Sequence, residues 1–139
     1  MPTLDEIVGH FETLTPESVA EMGRYYTEDA YFKDPHNEVR RLPDIQAVFR
    51  RMFEQIDAPR LRITERIGTG GSVALVWELT FRFRTLRPHE TQVIRGMSHL
   101  RLAEDGRVCF HRDYWDAAEE LYEKIPLLGV FMRRIKRSV

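Results

Sequence analysis

The chain has 139 residues, 42% of them hydrophobic and 31% charged, and its formal net charge is -1. That balance suits one globular domain over residues 1–139 with a single core, and it leaves no electrostatic footprint for nucleic acid. Cys109 is the one cysteine, which excludes an intrachain disulfide, and runs such as "SVALVW" are far too short to cross a bilayer. The opening "MPTLDEIVGH" is acidic and has no apolar signal core, so a cytoplasmic location without integral membrane association is expected.

Thr3 and Glu6 form a T-x-x-E capping box, which predicts the start of a first helix with Ile7, Val8 and Phe11 as its apolar stripe. Thr15 followed by Pro16 predicts a second helix, with Val19, Met22 and Tyr26 on its inner face. "AYFKDP" reads as a short strand ended by Pro35. Ile45, Val48, Phe49, Met52 and Phe53 predict a third helix over 43–56. From Arg60 the hydrophobic period drops to two. "RLRITERIG", "SVALVWELTFRFRT", "ETQVIRGMSHLRLAE" and "RVCFHRDYWD" read as four strands in series, joined by turns at "TGGS", "RPHE" and "EDGR". A helix, "AAEELYEKI", and a basic amphipathic tail over 126–139 close the chain. Helices followed by a meander predict an α+β fold, with N-terminal helices packed on one face of a strongly curved, mostly antiparallel sheet.

Strand register places the polar residues. A two-residue turn at Asp105-Gly106 sets Ser98 opposite Asp113, Leu100 opposite His111, Gly96 opposite Trp115 and Leu102 opposite Cys109 on one face. Arg95–Asp116, Met97–Tyr114 and His99–Arg112 then share the other face. In the preceding strand Val73, Leu75, Trp77, Leu79, Phe81 and Phe83 must meet the helices, and a tight turn at Arg87-Pro88 brings Trp77 beside Ser98. A strict two-residue turn in "TGGS" would point Arg62 and Arg66 inward, so a longer loop or a bulge is expected there. Ser98 and Asp113 should therefore lie under the helices, walled by Trp77, Trp115 and Phe81. A carboxylate in such a place needs donors, water or a ligand. Outward Val76, Met97, Phe110 and Tyr114 suit a homodimer interface on the far face.

With "YYTEDAYFKDP", an amphipathic helix, and four long strands ending in "RVCFHRDYWD", the chain resembles the nuclear transport factor 2-like superfamily. Within it, the nearest resemblance is to the SnoaL-like branch, which is similar to ketosteroid isomerases, polyketide cyclases and limonene epoxide hydrolase. The resemblance runs to about Ile125 and implies a cone-shaped fold, a deep apolar pocket and a frequent homodimeric state. It implies that Asp34, before Pro35, is a proton-shuttling base and that Tyr26 is a pocket tyrosine. Ser98 in "GMSHLRL" stands where the isomerases carry a protonated aspartic acid that donates to an oxyanion. Their oxyanion tyrosine would fall near His10 or Phe11 and is missing. Asp113 in "HRDYWD" stands where the epoxide hydrolase has a water-activating aspartate, but the matching R-x-D pair would fall near "TFR" at 80–82, which lacks the carboxylate.

Plainer readings stand beside these. An Asp before Pro often starts a surface turn, and Asp113 can be a carboxylate tied to Ser98, Arg112 or a helix N-terminus. His111 reads as a pocket or rim histidine, and His99 as an outward residue near a subunit contact. His10, His36, His89, His99 and His111 show no metal-ligand spacing, so neither metal nor cofactor is expected. The tail reads as cover for a pocket mouth or a neighbouring subunit ahead of an anionic membrane surface. The combined expectation is a cofactor-independent isomerase- or cyclase-like enzyme. In it Asp34 or Asp113 moves a proton on an apolar carbonyl ligand, Tyr26, Ser98 and His111 stabilise the oxyanion, and Trp77 and Trp115 wall the site. The alternatives are a non-catalytic dimeric binding protein of the same fold, or an epoxide-hydrolase-like enzyme.

Overall fold

The structure is a computed structural model that describes residues 1–120 together with Arg134 and Arg137. The first helix, α1 (Leu4–Glu12), starts where Thr3 Oγ1 accepts the Glu6 N–H at 3.2 Å, and it buries Ile7, Val8, His10 and Phe11. A 3-10 segment, Ser18–Arg24, follows and buries Val19 and Met22. The remaining elements are β1 (Tyr26–Lys33), β2 (Glu38–Val39), α2 (Leu42–Gln55), β3 (Ile56–Ile67), β4 (Ser72–Phe83), β5 (Gln92–Leu102), β6 (Val108–Tyr114) and α3 (Ala117–Glu120). The strands form one curved six-stranded sheet in the order β2-β1-β6-β5-β4-β3. Every neighbouring pair is antiparallel except β1 with β6, which is parallel. The fold class is α+β, as the switch from helical to alternating periodicity predicts. The main core lies between α1, α2 and the inner sheet face, around Ile7, Tyr26, Phe32, Ile45, Leu75 and Leu100.

The N-terminal third departs most from the sequence reading. The second helix is a 3-10 segment instead of an α-helix, held at its start by a reciprocal pair in which Thr15 Oγ1 accepts Ser18 N–H and Ser18 Oγ accepts Thr15 N–H. Tyr26 belongs to β1 and not to that helix, because β6 captures the backbone there: Val108 N–H donates to Tyr25 O at 2.7 Å. The strand read from "AYFKDP" thus begins four residues earlier, at Tyr26. It carries a register shift between Tyr26 and Tyr31 against β6. Of the C-terminal helix, Ala117–Glu120 is described; its continuation lies outside the described residues, as does the tail over 126–139 apart from Arg134 and Arg137.

In the sheet, the deviations explain one another. Ser98 faces Asp113 and Leu100 faces His111, as expected, but Leu102 faces Val108 instead of Cys109. The turn is a three-residue loop, closed by Ala103 N–H on Arg107 O at 2.8 Å, with Gly106 at φ 89°. An irregularity at Cys109 takes up the extra residue and restores the expected register from Phe110 onward. The Gly96–Trp115 and Arg95–Asp116 rungs do not form, because β6 ends at Tyr114; Arg95 faces Glu78 of β4. Trp77 pairs with Gly96, and Leu75 with Ser98, since the β4–β5 connection is a longer loop over 84–91 with Arg87 at φ 48°. The shift is by two residues, so every side chain keeps its face. Between Ile63 and Glu65 the predicted bulge is present, and it sets Ile63 and Leu61 opposite Trp77 and Leu79.

Gly96 is dictated by this packing. A Cβ there would lie 2.6 Å from Trp77 Cη2 and 2.9 Å from Tyr114 O. The six-membered ring of the indole covers the glycine, with Cη2 and Cζ2 nearest. Gly96→Ala should therefore destabilise the protein by about 1–3 kcal/mol through overpacking, read from the urea midpoint, with a change in tryptophan emission as the ring is displaced.

Candidate active site

A cavity of about 550 Å³ opens between α2, the end of α1 and the inner face of the sheet. Phe49, Met52 and Phe53 of α2 face Leu75, Trp77 and Phe81 of β4 across it, and Trp115 stands at its edge. The walls are apolar because the period-two strands and the amphipathic α2 both turn their hydrophobic residues this way. Ser98, His111 and Asp113 interrupt the apolar lining on β5 and β6.

These residues form a continuous row of hydrogen bonds. Trp77 Nε1–H donates to Ser98 Oγ at 2.8 Å, and Ser98 Oγ–H donates to Asp113 Oδ1 at 2.5 Å. His111 Nε2 lies 2.6 Å from the same Oδ1, and His111 Nδ1 lies 2.7 Å from the Tyr26 hydroxyl. Tyr26 is fully buried, and burial, reinforced by the charge of Asp113, pushes its pKa well above the ordinary tyrosine value. The phenol therefore keeps its proton, and among the described residues His111 Nδ1 is its acceptor. Tyr26 donates to Nδ1, which fixes the proton of a neutral His111 on Nε2, where it donates to Asp113. The imidazole is held between Phe11, edge-on at 5.6 Å, and Phe32, edge-on at 4.9 Å, with Tyr26 stacked at 6.0 Å. Oδ1 of Asp113 thus carries two donors, whereas Oδ2 takes no hydrogen bond among the described residues. The Asp113 side chain remains 18% exposed, against 4% for His111.

Not every expected site residue meets the cavity in its expected role. Trp77 and Trp115 line it; Tyr26 does not, since it is wholly buried behind His111. Ser98 and Tyr26 do not point free hydroxyls at an oxyanion; both hydroxyl protons are already committed, to Asp113 and His111. Asp34 lines the cavity, but its Oδ1 accepts His36 N–H at 2.8 Å and Asn37 N–H at 2.7 Å, the turn geometry that an Asp before Pro favours. Lys33 and Arg112 form the last rung of β1 and β6, so Asp34 and Asp113 each follow directly after that rung. His10, stacked on Tyr25 at 4.4 Å, lies outside the cavity; burial, and then the charge of Arg24, lowers its pKa to about 4. Sequence reasoning misses the polar rim of Asn37, Arg51 and Gln55. For Arg51 and Gln55 the spacing on α2 carries the signal, because they are one turn apart and flank Met52.

Among the described residues, no group of three or more His, Cys, Asp or Glu could hold a metal ion, and no helix is long and apolar enough to cross a membrane.

A family model described as a SnoaL-like domain matches residues 7–111. No curated protein matches the chain by sequence. Solved structures share its fold. A protein from Catenulispora acidiphila with a ketosteroid isomerase-like fold, crystallised with trimethylamine, superposes with TM-score 0.71 at 14% identity, covering 85% of this chain and 88% of that one. A candidate SnoaL-like polyketide cyclase from Jannaschia gives 0.70 at 14% identity, with coverage of 84% and 86%. AclR, a candidate hydroxylase from Streptomyces galilaeus, gives 0.67 at 18% identity, with coverage of 91% and 92%.

The hydrogen-bond row makes a sharp prediction about Tyr26. Tyr26→Phe leaves a buried imidazole nitrogen without its donor and should destabilise the fold by about 1–3 kcal/mol. Nitrogen NMR of His111 should then show loss of the single Nε2–H tautomer.

Proposed function

Since the chain belongs to the SnoaL-like domain family, we propose that it is a cofactor-independent enzyme that moves a proton next to the carbonyl of an apolar ligand, with Asp113 as the base. One observation carries this reading: a carboxylate at an apolar cavity has one oxygen held by Ser98 and His111 and the other unengaged among the described residues. The held oxygen fixes the plane of the carboxylate, and Oδ2 is the atom available to a substrate. In the reaction Oδ2 takes a proton from the carbon beside the carbonyl. The C–H electron pair moves into the enolate and the O–H bond forms on Asp113. Return of that proton to another carbon completes an isomerisation. Attack of the enolate carbon on a second carbonyl completes a cyclisation instead, with the proton passing to the new alkoxide. His111 keeps its Nε2–H on Oδ1 throughout. Ser98, Trp77 and Tyr26 act as positioning residues. Asp34, just past the end of β1, is the second carboxylate lining the cavity and the second group able to exchange a proton with the ligand. The unpaired Cys109 suits a reducing compartment such as the cytoplasm.

The same reading includes a homodimer through the outer sheet face. Tyr114 is 49% exposed there, with Arg112 over its ring at 4.7 Å, and Phe110 stacks on Tyr31 at 5.2 Å. Sedimentation should give twice the chain mass for the wild type and the single-chain mass for Tyr114→Glu; a wild-type monomer at micromolar concentration overturns the dimer.

Deuterium exchange beside the carbonyl of bicyclic and tricyclic ketones in heavy water, followed by NMR, tests the chemistry without a named substrate. Asp113→Asn should slow exchange by about two orders of magnitude or more, with a smaller loss for Asp34→Asn. Full exchange in both variants overturns the proposal. Ketone binding with no exchange in the wild type favours a binding protein instead.

A further inference from the structure

If the cavity takes a ligand as proposed above, its rim bears on which ligand enters. Among the described residues, Arg51 is the one lysine or arginine that lines the cavity. The carboxylates lining it accept hydrogen bonds from other groups: Glu12 Oε2 accepts Ile63 N–H at 3.0 Å, Asp34 closes its turn, and Asp113 Oδ1 holds Ser98 and His111. None of them pairs with Arg51. Among the described residues the guanidinium has a single hydrogen bond, to the neutral amide oxygen of Asn37 at 3.4 Å. Elsewhere on the surface, Arg62, Arg66, Arg82 and Arg107 each sit within 3.4 Å of a carboxylate. Gln55, one helical turn beyond Arg51 on α2, lines the same edge. A guanidinium and a side-chain amide at this spacing present parallel N–H donors to the two oxygens of one anion.

We infer that Arg51, assisted by Gln55, is a specificity-determining residue that takes the anionic oxygen group of an otherwise apolar ligand, so that the natural substrate is a carboxylate-bearing carbonyl compound. The positive charge also offsets the repulsion that such an anion would meet from Asp34 and Asp113. Size and greasiness alone would admit many ligands to a cavity walled by Phe49, Trp77 and Phe81; one uncommitted cation at the edge selects among them and fixes which end enters first.

The test uses a matched pair of probes, 1-pyrenebutyrate and 1-pyrenebutanol, titrated against the full chain. Quenching of Trp77 and Trp115, the only two tryptophans, reports binding. Arg51→Gln should weaken pyrenebutyrate about tenfold or more and leave pyrenebutanol unchanged. Arg50→Gln makes the same change in net charge one residue away, at an exposed position that does not line the cavity, and should alter neither affinity. Equal losses of both probes in Arg51→Gln would make the residue a packing element and overturn the inference. So would an unchanged pyrenebutyrate affinity, or an equal effect from Arg50→Gln. If neither probe binds the wild type, the cavity reading itself fails; if pyrenebutanol binds and Arg51 proves indifferent, only the anion site fails.

Discussion

A carboxylate set among aromatic walls must be supplied with donors, and the polar end of the cavity is organised by that requirement. Asp113 receives them from both sides. Ser98 reaches it from β5 and is itself steadied by Trp77 of β4; His111 reaches it along β6 and is steadied by Tyr26 of β1. The row therefore crosses four adjacent strands on their inner face. An isolated buried charge costs several kcal/mol, and a charge with well-placed donors costs far less. The indole can take its part because Gly96 has no side chain beneath the ring.

That arrangement divides the labour of the cavity. The apolar walls favour any ligand that removes hydrocarbon from water, without regard to orientation. Direction comes from the polar groups, which are few and fixed. The family match spans residues 7–111 and so reaches His111 but stops short of Asp113. The solved neighbours, at 14% to 18% identity, share the fold, and a fold of this kind hosts more than one chemistry.

How far the sequence can be read depends on the range of the interaction. Alternation within β4 identifies the inner face from Val73 to Phe83 with no outside information, and the Ser98–Asp113 rung follows from one local turn. The bulge beside Thr64 is legible because Arg62 would otherwise face inward; Arg66, on the hairpin side of it, stays opposite Leu75 and is exposed where it pairs with Asp5 of α1. In the last hairpin the loop is one residue longer than expected, and the irregularity at Cys109 cancels it, so the expected rungs hold from Phe110 to Tyr114. Helical spacing misplaces Tyr26 because its partner strand is the last along the chain, and parallel pairing leaves no nearby turn to announce it. Asp34 is legible as either a pocket base or a turn-former; the structure makes it a turn residue that also lines the pocket, and the sequence holds no register rule linking it to Asn37. Arg51 escapes notice in the sequence because an exposed arginine on a helix is ordinary until the cavity beside it is known.

The hydrogen bond between Tyr26 and His111 joins groups 85 positions apart along the chain. The hairpins β3–β4 and β4–β5 close far shorter loops and can zip locally, whereas docking β1 beside β6 needs nearly the whole polypeptide and bears the largest loop-closure entropy in the sheet. The hydrogen-bonded corner around His111 is thus a product of high contact order. A chain still emerging from the ribosome can complete its greasy half first, but it cannot orient the imidazole until the final strand arrives.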